Sequence, residues 1–210
     1  MAVRSLDNGE RIAFVMHECQ NGMINPDVAT NGPLAAHAKS RGIVENIAAV
    51  AAACRERGMP VFHSTIEPRP DYVGTDPSCL LLGGLIKKGG IVAGKQATEI
   101  HPDLTPHDGD IRIRRVHGLT PFHGTELEAY LRHQRIQTVI LAGVSTDVGI
   151  PGASLEAINR GFRVVVPEDC IAGSSPESHE WQVRHTIPLL ATVTTTNDVL
   201  DVLGRAAQQS

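Results

Sequence analysis

The chain has 210 residues, of which 41% are apolar but only 3% aromatic, and it carries a formal net charge of −4. That length suits one large domain with an aliphatic core, and the acidic balance excludes the general attraction to nucleic acid or anionic membrane that basic proteins use. No apolar run reaches the roughly 18 residues of a membrane span, the opening MAVRSLDNGER lacks the apolar stretch of a signal peptide, and four scattered cysteines without a CxxC pair read as reduced thiols, so a cytoplasmic protein is expected.

The first aliphatic run, residues 12–16, reads as a strand ending in the polar stretch His17-Glu18-Cys19-Gln20-Asn21. Residues from about 35 to 57 form one expected helix, with Ile43, Ile47, Val50 and Cys54 on a single face. Gly58-Met59-Pro60 stops it before a second strand at 61–66. Residues 68–110 are irregular, with a short helix at LLLGGLIKKGG; a loop region this long is either a lid or oligomer arm, or a plain surface excursion. Further strands are expected at 111–116, 138–144, 163–166 and 192–196. Thr125-Glu126-Leu127-Glu128 has the pattern of a capping box for a helix to about His133, and Ser175-Pro176 supplies an N-cap and first turn for another. A last short helix follows Asn197-Asp198. Continuous apolar strands such as TVILAGV, alternating with helices, predict a single α/β domain over residues 1–210: a three-layer α/β/α, Rossmann-like arrangement around a six-stranded parallel sheet.

In such sheets ligands bind beyond the carboxyl ends of strands, where the crossover direction reverses. That rule selects residues 17–22, 115–122 and 145–151. These segments, AFVMHECQNGMI, RVHGLTPFHGTELEAYLR and TVILAGVSTDVGIPGASLEAINRGFRVVVPEDCIAG, together with LLATVTTTNDVL, resemble the isochorismatase-like hydrolases, a superfamily that includes nicotinamidases, other cysteine amidohydrolases and the isochorismatases proper. The likeness runs from about residue 11 to 203, and it implies a catalytic set of aspartate, lysine and an elbow cysteine. Each position differs here. Glu18 matches the aspartate on a longer arm, and Arg115 is the nearest match to the lysine, one residue out of register with Val116 at the expected spacing. Gly149 stands where the cysteine belongs.

Glu18, at a strand end, suits general-acid chemistry or water activation; a carboxylate that caps amides or pairs with an arginine is the alternative. Arg115 stays charged and cannot act as a base. It would hold a substrate carboxylate or form an ion pair, with Glu18 itself as one partner. The turn Val144-Ser145-Thr146-Asp147-Val148-Gly149 should aim backbone N–H groups of a helix N-terminus at the site. By resemblance it contains a cis peptide after Val144 and forms an oxyanion hole. Val144, Ser145, Thr146, Asp147 and His117 are thus candidate substrate-binding residues. Cys19 adjoins Glu18 on an extended segment, so it should face the core when Glu18 faces the pocket. No HExxH pattern occurs, and His63 alone survives as a ligand candidate, so neither a metal nor another cofactor is expected. The resemblance implies acid–base hydrolysis of a small anionic metabolite such as a vinyl ether, or else a silent binding or regulatory homologue. It also implies a homo-oligomer, dimer or tetramer. Because relatives carry a side chain at the elbow, Gly149→Cys is expected to fold and to present a reactive thiol.

Overall fold

The computed structural model describes residues 3–6 and 9–207, so parts of the N-terminal segment and the last three residues of the expected 1–210 domain lie outside the described residues. The strands are β1 (Ile12–His17), β2 (Val61–Ile66), β3 (Ile111–Arg115), β4 (Thr138–Val144), β5 (Arg163–Pro167), β6 (Ile171–Ala172) and β7 (Thr192–Thr194). They form one sheet in the order β3-β2-β1-β4-β5-β7, with β6 paired to β4 beyond the end of β5. All six pairings between named strands are parallel. The expected six strands are present, and the seventh, β6, is a two-residue addition too short to carry a hydrophobic pattern.

The helices are α1 (Asn21–Ile24), α2 (Gly32–Ser40), α3 (Ile43–Glu56), α4 (Leu80–Lys88), α5 (Leu127–His133), α6 (Gly149–Asn159), α7 (Pro176–Trp181), α8 (Ile187–Leu190) and α9 (Thr196–Ala207). Because side chains alternate along a strand, β1 and β4 send Phe14, Met16, Ile140 and Ala142 into a core shared with α2, α3 and α9. Their neighbours Ala13, Val15, Val139 and Leu141 enter the opposite core with α5, α6 and α8. A sheet covered on both faces has no polar side to show, which is why these strands read as unbroken apolar runs. The anchors of α3 are Ile43, Ile47, Val50 and Cys54, all fully buried; each of the three aliphatics is worth about 1.5–3 kcal/mol of burial.

One helix was expected over 35–57, and two are present. Gly42 has φ of 62°, a left-handed conformation that suits glycine and ends α2 so that α3 can set off in a new direction. Ser175 caps α7 by accepting from the Ser178 amide at 3.2 Å, with Pro176 in the first turn. The capping box at α5 is half made. The Thr125 hydroxyl accepts from the Leu127 amide at 3.2 Å, whereas Glu128 turns away to Arg132 and Arg160. No helix among the described residues is long and apolar enough to cross a membrane.

Candidate active site

The chain builds β1, β2 and β3 outward in one direction, then returns to lay β4 on the other side of β1. The carboxyl ends of β1 and β4 therefore diverge at a topological switch point, where open α/β sheets bind ligands. A cavity of about 410 Å³ opens there, with Glu18, Ser145, Asp147, Val148 and Gly149 in its lining.

Glu18 leaves β1 with φ of 54°. A non-glycine residue in this region costs on the order of 1–3 kcal/mol and persists only where surroundings hold it. Two contacts do so. The Glu18 amide donates to the Ser64 carbonyl at 2.9 Å. Two residues on, the buried Gln20 side chain donates to the carbonyls of Ile66 and Thr98 and accepts from the Ile66 amide at 2.8 Å. The turn swings the Glu18 carboxylate to the cavity and sends Cys19 into the α2/α3/α9 core. There burial raises the Cys19 thiol far above its ordinary range, and Cys170, also buried, is pushed up to about 12. Neither is a thiolate near neutral pH.

Arg115 and Glu18 meet in a direct ion pair. The Arg115 guanidinium also donates to the Gly118 carbonyl at 2.5 Å and is only 3% exposed. Strand parity explains why Arg115 points inward. Ile113 and Arg115 turn to the interior, while Arg112 and Arg114 pair with Glu67 on the other face and Val116 is exposed. Arg115 lies outside the cavity lining. Its two terminal nitrogens are taken by Glu18 and Gly118, while Nε is buried and has no partner among the described residues.

The elbow after β4 contains a cis peptide between Val144 and Ser145. Its groups divide between scaffold and cavity. Val144 is buried in the core. Thr146 donates its amide to the Ala172 carbonyl at 2.8 Å, and its hydroxyl meets His179 Nδ1 at 3.0 Å, so it faces inward and has no free amide for an oxyanion. Asp147 borders the cavity, but its carboxylate accepts from the Ser174 amide at 2.7 Å and from the Ser178 hydroxyl. The amides of Val148 and Gly149, at the start of α6, have no backbone acceptor among the described residues. His117 lies outside the lining; its Nδ1 accepts from the Asp76 amide at 3.4 Å, and its ring packs edge-on to His123. Val144, Thr146 and His117 are thus scaffold in this arrangement, and Ser145, Asp147, Val148 and Gly149 border the space a ligand would fill.

A side chain absent from the expected site closes it from below. His17 is fully buried, and a β-carbon built on Gly149 would lie 2.9 Å from both Cδ2 and Nε2 of its ring and 2.9 Å from the Val144 carbonyl oxygen. Its Nε2 stands 3.9 Å from Glu18 Oε1, and neither ring nitrogen closes a hydrogen bond of ordinary geometry. Burial, opposed by Glu18 and reinforced by Arg115, lowers its pKa to about 4, so the ring is neutral near pH 7. The imidazole therefore fills the volume a residue-149 side chain would need. Gly149→Cys, expected to fold, would therefore have to displace something here, because the clash includes the Val144 carbonyl and not only a movable side-chain tip. The signal lay in the parity of β1: residues 13, 15 and 17 all turn toward the face on which α6 packs.

His63, the one ligand candidate, meets Asp110 at 2.9 Å, and Asp110 also binds Arg55. It is a tie between β2, α3 and the start of β3. Among the described residues no group of three or more His, Cys, Asp or Glu side chains could hold a metal ion.

Residues 12–198 match the isochorismatase domain family model. The chain belongs to the isochorismatase family. It is 28% identical over 204 residues to the isochorismatase family protein YecD of Escherichia coli O157:H7, covering 93% of this chain and 98% of that one. It is 27% identical over 207 residues to N-carbamoylsarcosine amidase of an Arthrobacter species, covering 98% of this chain and 76% of the relative. Among solved structures, a cysteine hydrolase from Pseudomonas syringae pv. phaseolicola superimposes with a TM-score of 0.84 at 21% identity, covering 98% of both chains, a likeness of fold. This isochorismatase family member is thus a hydrolase-type α/β domain with its elbow at the expected place and a glycine in it.

Proposed function

We propose that this isochorismatase family protein is a hydrolase that uses water as nucleophile, with Glu18 as its acid–base group and no covalent enzyme intermediate. The observation that carries the reading is the exchange at the elbow: Gly149 has no side chain, His17 fills the space, and the Glu18 carboxylate borders the same cavity. An ion-paired carboxylate can take a proton from water as the water adds to an electrophilic carbon. It then returns that proton to the departing atom, so the bond to the leaving group breaks and the carboxylate is regenerated. The Val148 and Gly149 amides, at a helix N-terminus, suit the negative charge that develops on oxygen. Arg115 positions Glu18 and does not touch the substrate. Hydrolysis is supported by the family match and by the amidase activity named for the Arthrobacter relative.

The test is a panel of small amides, esters and vinyl ethers assayed with wild type and Glu18→Gln. Turnover that falls by about 10²–10⁴ in the variant supports the assignment. Equal turnover by both proteins removes Glu18 from the chemistry. A silent small-molecule binder is the second reading, favoured by the closed Glu18–Arg115 pair; no turnover of any panel member by wild type would favour it.

The exposed Leu80 and Val73 within 68–110 support a homo-oligomer built through that segment. Light scattering that gives a monomer mass at micromolar concentration would exclude it.

A further inference from the structure

The wall facing the elbow has a different character from the elbow itself. It is contributed by Leu34, Ile66, Leu82, Leu85, Ile91 and Leu119, from α2, the end of β2, α4 and two loops. No aromatic side chain lines the cavity, so nothing there would stack a flat ring. The lining has one cation, Lys88, and its ammonium donates to the Thr30 carbonyl at 3.3 Å. The acidic groups are committed too, Glu18 to Arg115 and Asp147 to Ser174 and Ser178. The side opposite the elbow is thus mainly hydrocarbon, with Thr30, Asn31 and Lys88 as its polar members.

That wall is packed in place. Ile91 lies against the chain at Gly22, where a β-carbon would come within 2.3 Å of Ile91 Cδ1, and Ile66, Leu85 and Ile91 belong to one small apolar cluster. A pocket of this size with a few polar groups at one end and aliphatic side chains at the other orients a ligand by its head and selects it by its tail.

We infer that the substrate carries an aliphatic body, seated against the Leu34, Ile66, Leu85, Ile91 and Leu119 wall, and a polar reactive head at Glu18 and Gly149. This assignment of substrate class rests on the hydrolase reading for what happens at the head. Its physical basis is the transfer of hydrocarbon from water to an apolar wall, so affinity should rise with each methylene until the cavity is filled.

Binding, which needs no turnover, tests it. The dissociation constants of acetamide, butyramide, hexanamide and octanamide would be measured by calorimetry or ligand-observed NMR on the whole protein. A gain of about threefold to fourfold per methylene is expected through the middle of the series. Leu85→Asn should flatten the series. If that variant fails to fold, Leu81→Asn, at a half-exposed position on the same helix, should flatten it in part. Affinities that do not depend on chain length overturn the inference, as does a series left equally steep by both variants. A steep series with no hydrolysis of any panel compound would uphold the apolar pocket and count against the hydrolase reading. Hydrolysis of short polar substrates with a flat series would do the reverse.

Discussion

Gly149→Ala isolates the packing of the elbow. The added β-carbon would meet the His17 ring and the Val144 carbonyl, both at 2.9 Å, inside the distance that real β-carbons keep. The ring has no room to retreat, since His17 is fully buried. Overpacking of this kind costs about 1–3 kcal/mol, whereas alanine in place of glycine in a helix gains at most about 1 kcal/mol, and less in the first turn. The clash should win, and the variant should lose stability by about 1–2 kcal/mol, or roughly 2–4 °C in Tm per kcal/mol for a chain of this length. His17→Ala removes one of the two contacts at the expense of a cavity, so the two substitutions should be coupled. Urea unfolding followed by circular dichroism on wild type, both single variants and the double variant would give the interaction. The double variant should be less destabilised than the sum of the singles by at least about 1 kcal/mol, because each change relieves what the other creates. Additivity within about 0.5 kcal/mol would refute the view that His17 occupies the missing side chain's volume.

Stability should fall with acidification in a defined window. Burial lowers the pKa of His17 and of His179 from 6.5 to about 4, so the unfolded chain binds more protons between those values. The contribution of each is complete above about pH 6.5 and declines toward pH 4, with a slope approaching 1.4 kcal/mol per pH unit for each group. His17→Gln should reduce the slope of urea stability measured from pH 7 to 4.5, and an unchanged slope would count against a buried neutral His17. Arg115→Met strands the Glu18 carboxylate and should cost about 3 kcal/mol or more, while Arg115→Lys keeps the charge and should cost less. Equal stability of Arg115→Met and wild type would show that the pair contributes nothing. Iodoacetamide near neutral pH should label the exposed Cys79 and leave Cys19 unmodified in the native protein, with peptide mass spectrometry as the check.

The layers of the fold were legible because β1 and β4 are buried on both faces and are almost wholly apolar, whereas β2, equally buried, carries His63, Ser64 and Thr65. The break at Gly42 was not, since a single glycine does not by itself end a helix and only its left-handed conformation separates α2 from α3. β6 escaped notice because its two residues pair with β4 through backbone alone. Within the site, Glu18 and the elbow could be found from their order along the chain. The duties of Thr146 and His117 could not, because their partners, His179 and Asp76, are 33 and 41 residues away in sequence. The aliphatic wall was hidden for a related reason. LLLGGLIKK reads as a short helix anywhere, and only its docking over the ends of β1 and β4 makes it part of a cavity.

The cavity has two sides with separate origins. One is the elbow, fastened by Thr146 to Ala172 and His179 and by Asp147 to Ser174 and Ser178, so any shift there would disturb β6 and α7 as well. The other is led by α4, which lies outside the sheet ladder. Substitutions on α4 can reshape what fits without moving a single strand. On the hydrolase reading proposed above, ligand choice and chemistry fall on different stretches of this chain, so a descendant could exchange its preferred molecule while keeping its reacting groups untouched.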